Sequence, residues 1–153
     1  MGATDATARG KTLLIVEDDM LPAMALRDEL ADAGYQVLDL TGRPQEALTA
    51  ARNCKPDLAL VNIMLYGRND GIQLAADLTD MGVPVLFISG QVSRDKSRET
   101  VAIGSFPKPY STVDMVKAVN YLFRHLEGDQ TLPRPAGLEV FKGEAIGVIP
   151  PAS

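Results

Sequence analysis

The sequence predicts a doubly wound α/β domain with five parallel strands and helices on both faces. Three observations carry this. Short unbroken apolar runs alternate with longer amphipathic stretches in strict strand–helix order, which implies a parallel sheet. The runs lack polar alternation, as expected of strands covered on both faces. And 153 residues fit one ordinary domain, with roughly 30 to spare.

Thr12–Val16 is the first strand. The helix after it, about Met20 to Ala33, turns Ala23, Leu26, Leu30 and Ala33 inward and is stopped by Gly34. Gln36–Leu40 is the second strand, and Pro44 opens a helix to about Asn53 with Ala47, Leu48 and Ala51 inward. Asp57–Ile63 is the third strand, followed by a loop with Gly67, Asn69, Asp70 and Gly71, then a helix over Ile72–Met81. Pro84–Ile88 is the fourth strand, a charge-rich helix spans about Arg94 to Ile103, and Gly104–Phe106 is a very short fifth strand. The last helix begins at Ser111, where Ser111 and Asp114 suit a capping box; Val116, Val119, Phe123 and Leu126 are its inward stripe. Past Gly128, prolines punctuate two small apolar clusters, Leu138–Phe141 and Ile146–Ile149. The chain thus divides into a flexible start (1–11), a domain (12–126) and a tail (127–153). The tail is expected to be a loose extension more than a docking or dimerisation device, although its clusters leave open a strand-like contact with another copy or with a partner.

Composition narrows the function. Fifteen Lys and Arg against twenty Asp and Glu give a net charge of −5, contrary to the basic face of a nucleic-acid binder. One cysteine, Cys54, excludes a disulfide framework and suits a reducing compartment. There is no signal-peptide pattern and no apolar stretch near the ~18–20 residues of a membrane span. The expectation is a cytoplasmic protein with no nucleic-acid or membrane partner. Cys54 has no base partner in evidence, His125 suits a helix C-terminus better than a metal, and the mixed-sign run Arg94–Glu99 suits a solvated helix face.

In an open α/β sheet, ligands bind beyond the carboxyl ends of the strands. The first strand ends in Glu17-Asp18-Asp19, the third delivers Asn62, the fourth Ser89-Gly90, and the fifth runs into Lys108-Pro109. Clustered carboxylates repel and usually need a hard divalent cation such as Mg²⁺. A lysine and a hydroxyl opposite would suit phosphoryl oxygens.

At these residues the sequence resembles the receiver domains of two-component response regulators. The matching pieces, in order, are Leu14-Ile-Val-Glu-Asp-Asp19, Pro56-Asp-Leu-Ala-Leu-Val-Asn-Ile-Met-Leu65, Asp70-Gly-Ile72, Val85-Leu-Phe-Ile-Ser-Gly90 and Lys108-Pro-Tyr110, covering about 12–126. The resemblance implies a flavodoxin-like sheet in the order 2-1-3-4-5, and a signalling module rather than an enzyme. It implies that Glu17 and Asp18 flank Mg²⁺, with Asp19 beside them, Met64 offering a backbone carbonyl, Ser89 as the switch hydroxyl and Lys108 as the phosphate-pairing lysine before an often cis bond to Pro109. It further implies a sensor histidine kinase or phosphotransfer protein upstream and a protein target downstream.

Two departures matter. The family's phosphoacceptor aspartate is here Asn62, whose amide cannot attack phosphorus and offers the metal one charge less, so Mg²⁺ binding is expected to be weak. Asn62 reads as a natural loss of the acceptor, an introduced Asp→Asn change, or a core-edge amide without a role. The Ser89–Lys108 segment also looks about three residues short, and Ser105 stands where the family has an inward-swinging aromatic, with Phe106 one place later and turned to the core. The expectation is a stand-alone receiver that acts through protein contacts, with a homodimer conceivable. The alternative is a phosphoryl-transfer or flavin-binding enzyme on a similar sheet, for which the acidic first loop lacks both a phosphate-cradling character and a second Asp two residues on.

Overall fold

In a computed structural model, residue 8, residues 10–90 and residues 101–141 are described. Strands β1 (Thr12–Val16), β2 (Gln36–Val37), β3 (Leu58–Asn62), β4 (Val85–Ser89), β5 (Gly104–Pro107) and β6 (Glu139–Val140) form one sheet in the order β2-β1-β3-β4-β5-β6. Helices α1 (Met20–Asp32), α2 (Pro44–Asn53), α3 (Asp70–Asp80) and α4 (Thr112–Leu126) cover it. The first five strands are parallel in the expected order, and the sheet is flavodoxin-like.

The unbroken apolar runs are buried for the reason that made them legible: every residue of β3 and β4 is buried. One core layer, under α1 and α4, contains Leu13, Ile15, Leu26, Leu30, Leu60, Leu86, Phe106 and Leu122. The other, under α2 and α3, contains Leu14, Val16, Leu48, Val61, Leu74, Leu78 and Phe87. Alternate residues of each strand thus serve opposite layers. Tyr35 donates a hydrogen bond to Asn120 Oδ1 and stacks on Phe123, tying the turn after α1 to α4.

Several boundaries differ from the sequence reading. β2 pairs only through Gln36–Val37, although Leu38 still donates to Leu13 and Thr41 bridges to Val16. α3 starts at Asp70, earlier than expected, because Gly71 enters the helix while its N–H donates to the Ile63 carbonyl. The inward face of α4 is Met115, Ala118, Val119, Leu122 and Phe123, with Val116 and Leu126 at its margin. Ser111 caps that helix as predicted, accepting from Asp114 N–H at 3.0 Å. The helix expected over Arg94–Ile103 falls largely outside the described residues; its last part, 101–103, is not helical, since Ile103 N–H is drawn into the sheet by the Val85 carbonyl at 2.8 Å.

The largest addition is β6. Within the predicted tail, Glu139–Val140 pair antiparallel with Ser105 and Gly104, and the Phe141 N–H reaches the Ile103 carbonyl at 2.9 Å. Leu138 enters the layer under α1 and α4, while Phe141 enters the other, each at most 9% exposed. A Cβ on Gly104 would lie 2.5 Å from the Glu139 carbonyl oxygen, so only glycine admits this strand. The sequence left open a strand-like contact of this segment with another copy or a partner; the structure instead pairs Glu139–Val140 within the chain. Among the described residues no helix is long and apolar enough to cross a membrane.

Leu30 is fully buried between α1, α4 and the sheet. Leu30→Ala is expected to cost about 2–5 kcal/mol, the range for emptying such a site, measured as a lowered urea midpoint at unchanged slope.

Candidate functional site

The parallel strands end together, so the loops that follow β1, β3, β4 and β5 bring their residues to one edge. Glu17 follows β1 directly and is held there because its N–H pairs with the Thr41 carbonyl at 3.0 Å. Its side chain is 3% exposed, so its charge must be answered inside the protein. Lys108 answers it, with Nζ 3.0 Å from Oε1. Asn62, 6% exposed at the end of β3, donates Nδ2 to Glu17 Oε2 at 2.9 Å and makes a longer contact of 3.5 Å with Asp18 Oδ1. The Asp19 N–H also donates to Glu17 Oε2, at 3.2 Å. The remaining oxygen, Asp18 Oδ2, accepts from the Tyr66 N–H at 3.0 Å.

All four carboxylate oxygens of Glu17 and Asp18 therefore face N–H donors. Burial opposes ionisation of Asp18, but hydrogen bonding with Glu17 and from the Tyr66 N–H, together with the charge of Lys108, outweighs it and holds the carboxyl below its ordinary value. Burial, and then the negative charge of Glu17, push the Tyr110 phenol up to about 12.

Two glycines make this closeness possible. A Cβ on Gly71 would collide with the carbonyl oxygens of Asn62 and Ile63, and one on Gly42 would stand 2.6 Å from Asp18 Cα. Tyr66 turns the β3–α3 loop with φ at 51°, in the left-handed region, and the Arg43 guanidinium lies over its ring at 5.3 Å.

Around this cluster is a cavity of about 580 Å³ whose lining includes Asp18, Asn62, Met64, Asn69, Ser89 and Lys108. The predicted residues thus meet in one place: Glu17, Asp18, Asn62, Ser89 and Lys108 share it, Met64 borders it with its side chain exposed, and the Lys108–Pro109 bond is cis. Asp19 is exposed at the start of α1, where its side chain makes no capping bond. Phe106 is buried in the core, as expected, and Ser105 is 6% exposed on the opposite face of β5. Sequence reasoning gave no role to the Tyr66 N–H, the Thr41 carbonyl, Gly42 or the Tyr110 phenol, because main-chain donors and acceptors and close backbone approaches leave no local mark in a sequence and Tyr110 meets the acids only through the fold.

A Mg²⁺ site needs oxygens free to approach an octahedral ion. Here the two carboxylates are engaged by nitrogen donors, Asn62 presents its Nδ2 to them, and among the described residues no three His, Cys, Asp or Glu side chains are grouped as a metal cage. In this arrangement the donor set does not fit a resident Mg²⁺.

The family model described as the response regulator receiver domain matches residues 13–120. The chain is a member of that family. Receiver domains are signalling modules of two-component systems, not typical enzymes. Over 121 residues this one is 31% identical to the transcriptional regulatory protein PdtaR of Mycobacterium tuberculosis, covering 76% of this chain and 58% of that protein. It is 30% identical over 151 residues to the DNA-binding response regulator MtrA of Mycolicibacterium smegmatis, covering 90% and 65%. The receiver chain thus spans under two thirds of the length of these relatives. Among solved structures it resembles a CheY-like receiver domain protein from Methanospirillum hungatei, with TM-score 0.70 at 23% identity over 78% of this chain and 98% of that one. It also resembles the receiver domain of a modulated diguanylate cyclase from Desulfovibrio desulfuricans, with TM-score 0.60 at 33% identity over 73% and 97%.

Because the Tyr110 phenol is raised from 10.0 to about 12, its neutral form stabilises the fold below pH 10, and that contribution is lost as pH rises toward 12. Thermal melts should show a steeper alkaline loss for the parent than for Tyr110→Phe. Replacing Asn62 by Asp removes the donor facing Glu17 and adds a like charge. Without divalent cations, Asn62→Asp is expected to lose about 1–3 kcal/mol in chemical denaturation, the cost of leaving a buried charged group unsatisfied.

Proposed function

We propose that this chain is a receiver module that signals by protein–protein contact without forming an aspartyl phosphate. The observation that carries the reading is the Asn62 amide donating to Glu17 and contacting Asp18. An aspartate there would repel both acids and call for a cation; the amide instead binds them as a neutral donor. The pocket is then internally satisfied, and neither Mg²⁺ nor a phosphoryl group is needed to hold it together.

Residue roles follow. Asn62 occupies the acceptor position as a pseudo-acceptor. Glu17 and Asp18 are the acidic pair, with Asp19 flanking and the Met64 carbonyl at the rim, so any Mg²⁺ binding is weak. Lys108, before Pro109, serves the buried Glu17 rather than a phosphate, and Ser89 retains the place of the switch hydroxyl. Without an acceptor, and with Ser105 and a core-directed Phe106 replacing the mobile aromatic, state changes come from partner occupancy. The partners are a histidine kinase or phosphotransfer protein and a downstream protein target, in a cytoplasmic pathway and without nucleic-acid contact by this module. In support, exposed apolar side chains stand on the two elements that follow the acids and Asn62 in the chain: Met20, Leu21 and Met24 on α1, and Met64 and Tyr66 on the β3–α3 loop.

Incubation with acetyl phosphate and Mg²⁺, read by intact mass, tests this. No phosphoryl adduct is expected for the Asn62 form, whereas Asn62→Asp should gain one and show the larger rise in melting temperature with Mg²⁺. Robust labelling of the Asn62 form, or equal Mg²⁺ responses, would sink the reading.

A further inference from the structure

At the end of the sheet away from β6, the outermost strand is β2, and only Gln36 and Val37 of it pair with β1. The chain then runs on along the edge. The Leu38 N–H still donates to the Leu13 carbonyl, and the Thr41 carbonyl accepts from the Glu17 N–H. Between these two ties, neither the N–H nor the C=O of Asp39 or Leu40 has a hydrogen-bond partner among the described residues. Val37 lies between the inward-bonding Gln36 and Leu38, so alternation turns its own main-chain groups outward. Unpaired peptide groups on a sheet edge are a template for another strand.

Beside this edge is a cavity of about 540 Å³, between residues 38–41 and one face of α2. Leu38, Leu40 and Ala50, all half-buried, are its apolar lining. The α2 wall runs from Gln45 to Asn53, about 12 Å of helix, which matches about four residues of extended chain. An open edge next to an apolar groove is the arrangement in which an added strand is gripped by its backbone and selected by its alternate side chains.

Charge selects the occupant. The charged side chains of the lining are Asp39 and Glu46, and among the described residues no lysine or arginine joins them. Both acids are exposed. Glu46 Oε1 accepts from the Thr41 hydroxyl at 2.7 Å, whereas Asp39 has no ion-pair or hydrogen-bond partner among the described residues. The two acids disfavour a second copy of this chain, whose net charge is −5, and favour a basic segment.

We propose that the β2 edge and the α2 groove together take up an extended basic segment of a partner protein, with an apolar side chain in the groove and a lysine or arginine on Asp39. The inference does not depend on the role of Asn62, since it stands whether or not the acidic pocket accepts a phosphoryl group.

Backbone ¹⁵N NMR titration of the full chain at low ionic strength tests it. The probe is the capped tetrapeptide acetyl-KVKV-amide; the controls are acetyl-EVEV-amide, the N-methylated KVKV peptide and butylamine. The basic peptide should give saturable shifts at residues 37–41 and 45–54 and slow the exchange of the Asp39 and Leu40 amides, which exchange fast without it. Each control should bind about tenfold more weakly or worse, having lost the charge match, the strand donors or the strand itself. Asp39→Asn, an exposed change, should weaken binding about threefold, the worth of one surface ion pair. Thr49→Tyr, also exposed, fills the groove and should prevent binding at an unchanged urea midpoint. No saturable shifts, shifts confined to Glu17, Asp18 and Asn62, equal binding by any control, no effect of either substitution, or slow exchange of Asp39 and Leu40 before peptide is added would overturn the proposal.

Discussion

The buried charge of Glu17 is the constraint around which the edge of this sheet is arranged. A carboxylate 3% exposed is tolerable only if its partners arrive from elsewhere in the chain, and they come from the ends of two other strands: Asn62 at the end of β3 and Lys108 just after β5. One ionic contact and one amide contact thus require that three strands end at the same level. Removing either partner leaves a charge that water hardly reaches, so the cluster is a check on sheet register as well as a candidate functional pocket.

The second requirement is space. The acids, the amide and the loops approach so closely that side chains are excluded at Gly42 and Gly71. The backbone then does much of the polar work: the Tyr66 and Asp19 amides supply two of the donors that the carboxylates need. With two of its four donors on the main chain, the pocket is tied directly to the backbone.

How much of this was legible follows from where each signal resides. Strands β1, β3 and β4 were readable because burial on both faces removes polar residues from a whole run. The pocket was readable because parallel strands must deliver their ends to one edge, so Glu17, Asp18, Asn62, Ser89 and Lys108 could be assembled without coordinates. The inward face of α4 was misplaced in part, since Val116 and Leu126 look as apolar as Met115 and Leu122 until the position of α1 is known. β2 shrank because Asp39 and Leu40 find no ladder partner. β6 is two residues long, too short for any period, and its decisive signal, the missing side chain of Gly104, lies 35 residues before the strand it admits. Donors on the main chain left no trace in the sequence at all.

The pairing of β6 with β5 also has a temporal side. As a chain is synthesised, the first five strands and α4 can assemble once residue 126 has emerged, but the outer rim of β5 then stands bare. The carbonyl of Ile103 and the groups of Gly104 and Ser105 wait for residues 139–141 before they are covered. Until then the nascent domain carries an open strand, the kind of surface that captures neighbouring chains. Among the described strands the last to be made is therefore the one that covers this rim of β5, and a fragment cut after α4 would leave the rim bare.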